Sequence, residues 1–260
     1  NGTVLTSGWD GERFVMAAFP KKGKPTRRPI PCATDEGFDV GLYGSVVAAP
    51  DGTLFWAMSH QDRVVRINPD GSGGCYAGTG QPGFSGDGGP AIDAMLKSVT
   101  SLAYDPDRRE LYVADSLNLR VRRIDSAGVI STFVGPEGMS GGESLNPMDI
   151  AFDARRGRLY AKEGPGIVYR DRNGDVKVIP NSTGRGFASE GLATDPTGGD
   201  LVTTRIVPQC DVARISDGGV VKVVGGLLRD PHCAYQSTVD ADGDIWVVTD
   251  YELIVIRPGR

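Results

Sequence analysis

Only two histidines, His60 and His232, occur in these 260 residues, so a zinc centre built on three imidazoles cannot be assembled from them. Two acidic runs come closer to a metal site. Asp240-Ala-Asp242-Gly-Asp244 and Asp171-Arg-Asn173-Gly-Asp175 both begin like the oxygen-ligand loop of an EF-hand. That loop needs flanking helices and a glutamate at its twelfth position, where Ser182 and Tyr251 stand instead. Both runs are therefore expected to be hairpin turns. The glycine-rich stretch 78–89 is not a phosphate cradle, because no Lys-Ser/Thr pair and no helix follow it directly. Spacer and partner-binding loop are both open for it.

The elements that must carry such residues follow from a repeat. Five segments share one pattern: VVAAPDGTLFWA from Val46, LAYDPDRRELYVA from Leu102, IAFDARRGRLYA from Ile150, LATDPTGGDLVTT from Leu192 and STVDADGDIWVVT from Ser237. In each, a short apolar strand ends near an acidic turn and a second strand follows. The strand-end residues Ala49, Asp105, Asp153, Asp195 and Asp240 lie 42 to 56 residues apart. A period of that size made only of strands predicts a β-propeller. The second unit reads as four strands over 101–104, 111–114, 120–124 and 130–134. The fifth has three, over 237–239, 245–248 and 253–257, and then the chain stops. The segment 3–6 can supply the missing outer strand, which closes the ring and leaves 7–45 for a divergent blade. The expectation is a single all-β domain over residues 1–260, a six-bladed propeller of four-stranded antiparallel blades closed by pairing of its terminal strands; five blades is the alternative.

Composition agrees. The chain has 37 Gly and 17 Pro, as tight turns require, and helical periodicity is nearly absent. A net charge of −5 argues against nucleic acid as the main partner, since phosphate binding needs a basic face. No apolar stretch reaches the ~20 residues of a membrane helix. The chain starts at Asn1 without Met, so it is expected to be an excised or processed part of something longer, with any membrane contact made through an upstream anchor.

The run LAYDPDRRELYVADSLNLRVRRI (102–124) resembles the NHL repeat, in which a strand ending in Asp is followed by a Gly turn, a Leu-Tyr-Val-Ala-Asp strand and Asn-x-Arg-Val. The stretch from Ala77 to Asp105 is similar to the glycine-rich inter-blade loop of bacterial NHL proteins. Departures are Ala49 for the strand-end Asp and Glu163 at the second-strand Asp. The resemblance implies a propeller like the extracellular sensor domains of actinobacterial receptor Ser/Thr kinases. Propeller enzymes of lactonase type hold calcium with channel carboxylates and Asn. Asp149 and Glu190 would be the oxygen ligands here, and otherwise they are wet channel-lining residues. Calcium is thus the one cofactor the resemblance brings into view; no other is called for.

In a propeller the loops entering the first strand and those joining the second and third strands share one face. Loops on a rigid scaffold usually carry function. The candidate binding set on that face is His60, Asp115, Asn118, Glu163, Glu190, Arg205, Tyr235, Gln236 and Tyr251. Four cysteines allow three pairings. Placement on the loops makes Cys210–Cys233 geometrically reasonable, leaving Cys32–Cys75 to tie the N-terminal segment to its neighbour. Disulfides imply an extracellular or cell-surface location; the alternative is four free thiols in the cytosol. The expected function is a sensor or adhesion module binding a protein, a cell-wall fragment or a small molecule. The alternative is a lyase or hydrolase with a metal in the channel.

Overall fold

Short β-branched and aromatic runs punctuated by Asp and Gly turns fold into hairpins, each strand pairing with the next in sequence. The computed structural model describes residues 4–9, 14–19, 24, 26–29, 32, 45–136, 145–163, 166–180, 189–205, 211–216, 218–219, 221–226, 236–240, 242–248 and 253–257. The chain forms two compact units, Asn1–Val134 and Gly135–Arg260.

In the first unit, β1 (Val4–Trp9), β2 (Phe14–Phe19) and β3 (Thr26–Pro29) make one sheet. A second sheet holds β4 (Val46–Ala48), β5 (Leu54–Met58), β6 (Arg63–Ile67) and β7 (Gly73–Ala77). A third holds β8 (Val99–Asp105), β9 (Glu110–Asp115), β10 (Arg120–Ile124) and β11 (Ile130–Val134). The second unit repeats the design with β12 (Leu145–Asp153), β13 (Arg158–Glu163), β14 (Gly166–Asp171) and β15 (Val176–Val178). Next come β16 (Ser189–Thr194), β17 (Leu201–Arg205), β18 (Asp211–Ile215) and β19 (Val221–Gly226). The last sheet is β20 (Gln236–Val239), β21 (Ile245–Val248) and β22 (Leu253–Ile256). All these sheets are antiparallel, and the fold is a β-propeller of four-stranded blade type.

The fold has five blades, the stated alternative, rather than the expected six, and no pairing of the terminal strands occurs among the described residues. The N-terminal strand pairs locally instead: β1 takes β2 as partner along its whole length, from Val4 opposite Phe19 to Trp9 opposite Phe14. A hairpin partner a few residues away costs far less loop-closure entropy than one at the far end of the chain. Among the described pairings, β22 bonds only to β21.

The strand-end aspartates explain the repeat's acidic signature. Asp105 and Asp153 are buried, and each Oδ1 accepts N–H bonds from the two turn residues beyond it (Asp107 and Arg108; Arg155 and Arg156). The side chain thus closes the turn that the backbone begins. Asp240 does the same for Asp242 and Asp244, and Asp171 for Asn173 and Asp175, so the EF-hand-like runs are hairpin turns as expected.

Apolar side chains fill the spaces between neighbouring blades. In the first unit Phe55, Val64, Leu96, Val99, Leu102, Leu111, Val113, Ile124 and Ile130 form one cluster. In the second unit, Tyr160, Ile167, Tyr169 and Leu192 form another, and Val202, Val212, Ile245 and Val247 a third. Full burial of each such side chain contributes about 1.5–3 kcal/mol. The glycine-rich stretch is tied into this packing: the Gly88 N–H donates to the Ile130 carbonyl at 2.8 Å and the Ile130 N–H to the Gly89 carbonyl at 3.0 Å, and Ala91, Ala94 and Leu96 just beyond it enter the first cluster. The Cys32–Cys75 disulfide is present, with a Cα–Cα distance of 5.5 Å. It secures Cys32 against the face of the β4–β7 sheet that carries buried Trp56, Met58, Val65 and Ile67. Cys210 and Cys233 lie outside the described residues.

Candidate functional site

In the first unit the entry to each first strand and the turn between second and third strands meet at one end. The Ser45 N–H donates to the Thr100 carbonyl at 3.2 Å, and the Ser45 carbonyl accepts from Ala57 at 2.9 Å. Thr100 and Ser116 join through their hydroxyls at 2.5 Å. The turns at this end are the 3-10 segments Ser59–Gln61 and Ser116–Asn118, each followed by a residue in the left-handed region, Asp62 at φ 51° and Leu119 at φ 54°. Held non-glycine residues of that kind concentrate at functional positions.

The first strands are also irregular here. Register shifts fall between Val99 and Leu102, between Leu145 and Ile150, and between Ser189 and Gly191. Each inserts residues unmatched on the partner strand, a β-bulge device that re-aims side chains at sheet ends. Thr100, Ser101, Asp149 and Glu190 all sit in these insertions. Two of the bulge-end groups join neighbouring blades: Ser45 Oγ accepts the Leu102 N–H at 2.6 Å, and Asp149 Oδ2 accepts the Leu192 N–H at 2.5 Å. Ser45 and Asp149 occupy equivalent places in their repeats, so this is one clasp made by two residue types.

The predicted residues divide sharply. His60 is exposed on the Ser59–Gln61 turn. Asp115, in contrast, is 0% exposed. Its carboxylate accepts from the Lys97 N–H at 2.7 Å, from Asn118 Nδ2 at 2.8 and 2.9 Å, and from Arg122 Nη1 at 3.4 Å. Asn118 Nδ2 also donates to the Gly83 carbonyl at 2.7 Å. Asp115 thus lies buried and positions the loops, and half-buried Asn118 bonds to both Asp115 and the Gly83 carbonyl. Burial pushes the Asp115 carboxyl up, opposed by the Asn118 and Lys97 bonds and by the Arg122 charge. Fully buried Arg122 carries the network onward to Asp87 at 2.7 Å and the Ser85 carbonyl at 3.0 Å. Asp62 makes a parallel link, accepting the Ser98 N–H at 2.6 Å. Burial raises its carboxyl too, against the Ser98 bond and the charges of Lys97 and His60.

In the second unit, Glu163 and Arg205 end β13 and β17, opposite Leu145 and Ser189, at the same end as the bulges. Glu190 stands in its bulge, and Gln236 opens β20 opposite Val248. The side chains of these four residues, and Tyr235 and Tyr251 altogether, lie outside the described part. Asp149 is half-buried, beside exposed Met148. No cluster of three metal-ligating side chains occurs among the described residues.

Sequence reasoning missed the apolar groups at this end. Phe84 is 45% exposed, Leu117 63% and Leu119 37%. The signal was present: Leu117 sits between polar Ser116 and Asn118 in the turn between two strands, outside the alternation that would carry it into a core.

No model of a known protein family matches the chain. Solved structures do resemble it. A nidogen–laminin complex structure aligns with a TM-score of 0.69 and 15% identity, over 99% of this chain and 90% of that one. A virginiamycin B lyase from Staphylococcus aureus aligns at 0.62 with 18% identity, over 97% and 78%. A gluconolactonase from Xanthomonas campestris aligns at 0.61 with 17% identity, over 82% of this chain and 72% of that one. These likenesses define the class, a β-propeller, and at such identities they speak for the fold alone.

Proposed function

We propose that this chain is a binding module of extracellular sensor or adhesion type, part of a larger membrane or secreted protein, that engages its partner through the bulged loop end of its blades. The observation that carries this reading is the contrast at that end in the first unit. Buried polar networks around Asp115 and Asp62 fix the loops, while His60, Lys97 and Leu117 point outward from them. Rigid loops with exposed side chains suit recognition, because little ordering entropy is lost on binding. The Cys32–Cys75 bond supports an oxidising compartment, and a nidogen–laminin complex among the similar structures supports a protein partner. The NHL-like repeats favour a receptor-kinase type of parent. Glu163, Glu190, Arg205, Tyr235, Gln236 and Tyr251 would extend the surface in the second unit.

Immobilised domain challenged with cell-wall fragments and secreted proteins tests this. Retention should fall about tenfold or more in His60→Ala and in the Glu190→Ala, Tyr235→Ala pair, with folding intact, and should persist in Arg108→Ala at the opposite turn. Unchanged retention in the loop-end variants would reject the reading. A second reading, a lyase or hydrolase with calcium held by Asp149 and Glu190, draws on the lyase and gluconolactonase neighbours. Stoichiometric calcium in the purified protein would favour it.

A further inference from the structure

Resting on the loop end as the binding end, we infer that Phe84, Met95, Leu117 and Leu119, with Lys97 and Arg120, form a docking patch for an acidic segment of a partner protein that carries apolar side chains.

These residues are drawn together by bonds already in place. Asn118 Nδ2 holds the Gly83 carbonyl at 2.7 Å, which fixes Phe84 next to the Ser116–Asn118 turn. The Leu117 N–H donates to the Lys97 carbonyl at 3.1 Å, placing those two side by side. Arg120 lies over the Phe84 ring, its Cζ 3.9 Å from the centroid, and its Nη1 donates to the Asn118 carbonyl at 2.7 Å. Half-buried Met95 flanks Gly83, where an added Cβ would stand 2.7 Å from the Met95 Cε. An aromatic ring, a methionine and an arginine on a fixed backbone are residue types enriched at protein interfaces, and the two leucines add apolar area beside them.

Charge decides the occupant. The chain carries −5 overall, yet at this patch Lys97 is exposed and half-buried Arg120 lies on the Phe84 ring, while exposed Asp87 is paired with Arg122. The nearby acids are internally engaged: Asp115 is fully buried against Arg122 and Asn118, Asp87 pairs with Arg122 and Thr132, and Asp62 is held by Ser98. A local cationic rim around apolar groups on an acidic molecule complements a segment in which Asp or Glu flank Leu, Phe or Trp. A second copy of this chain, acidic overall, or a neutral apolar segment would make less use of the rim.

A displayed library of random peptides, selected on the intact domain, tests this directly. Enriched sequences should combine acidic with apolar residues. Their affinity should fall about tenfold in Leu117→Ser and again in Lys97→Glu, and should weaken as salt rises. Both substituted side chains are exposed, so folding should be retained, and circular dichroism checks it. Enrichment of basic or purely neutral peptides, no enrichment, or affinity unchanged from wild type in either variant would overturn the proposal, as would concentration-dependent dimerisation abolished by Leu117→Ser. If the natural partner is lost in His60→Ala but kept in Leu117→Ser and Lys97→Glu, the loop end binds and this patch does not; if all three variants keep it, both readings fall.

Discussion

Asp115 and Arg122 form a pair whose side chains are both 0% exposed, and Arg122 also reaches Asp87 at 2.7 Å. Removing Asp115 leaves buried Arg122 with part-exposed Asp87 as its remaining carboxylate partner, and breaking a buried pair costs more than the pair contributes intact. Asp115→Ala should therefore destabilise by about 3–5 kcal/mol in urea unfolding, since it also strands Asn118 and the Lys97 N–H. Asp115→Leu combined with Arg122→Met should recover much of that loss. Asp195 offers a pH test. Burial alone would raise its carboxyl, but bonds from Thr197, the Gly198 N–H and the Arg214 charge outweigh this and hold it below the usual carboxylate range. Its stabilisation is present above about pH 4 and is lost as pH falls through the lower folded value. Asp195→Asn should lower stability at neutral pH, and the gap to wild type should narrow on acidification below about pH 4 in thermal scans.

At the level of elements, the glycine-rich stretch is a packed strap with little slack. Gly86 has φ 89°, and a Cβ there would stand 2.7 Å from the Ala94 backbone. Gly86→Ala should cost about 2 kcal/mol or more from the left-handed strain and the clash together. Hydrogen exchange should accelerate across 78–97. The disulfide beside it is held under Arg63, whose Nη1 lies 3.4 Å from both sulfurs while Nη2 donates to the Thr79 carbonyl at 2.7 Å. Replacing Cys32 and Cys75 by Ser should cost about 2–4 kcal/mol in the same unfolding assay. The blades were legible in sequence because Asp105, Asp153 and Asp195 must close turns at a fixed place after each first strand, and that chemistry tolerates few residue types. The bulges were not legible. An unmatched Glu190 or Thr100 leaves no mark on hydrophobic alternation, because pairing register is a property of two strands and not of one.

For the whole molecule, the surface is acidic while its loop end in the first unit exposes cations and apolar side chains, an arrangement that favours a partner of opposite character. The sensor reading expects thermal stability to be unmoved by calcium or by a chelator; a rise of several degrees with calcium would favour the enzyme reading. The candidate site was only partly legible at this scale. His60 was placed correctly on an exposed turn, but Asp115 and Asn118 looked like surface residues because the Gly83 carbonyl and Arg122, which occupy them, come from elsewhere in the chain. Terminal closure was misjudged for a related reason: an apolar run such as Val4–Trp9 states its wish for a partner without naming which one.

The sulfur bond between positions 32 and 75 also governs what a protease could accomplish. A cut at the exposed Asp70-Gly71 turn would separate the polypeptide into pieces that still migrate as one species until a reductant is added. Damage to that tip would then shed nothing while the bond stays oxidised.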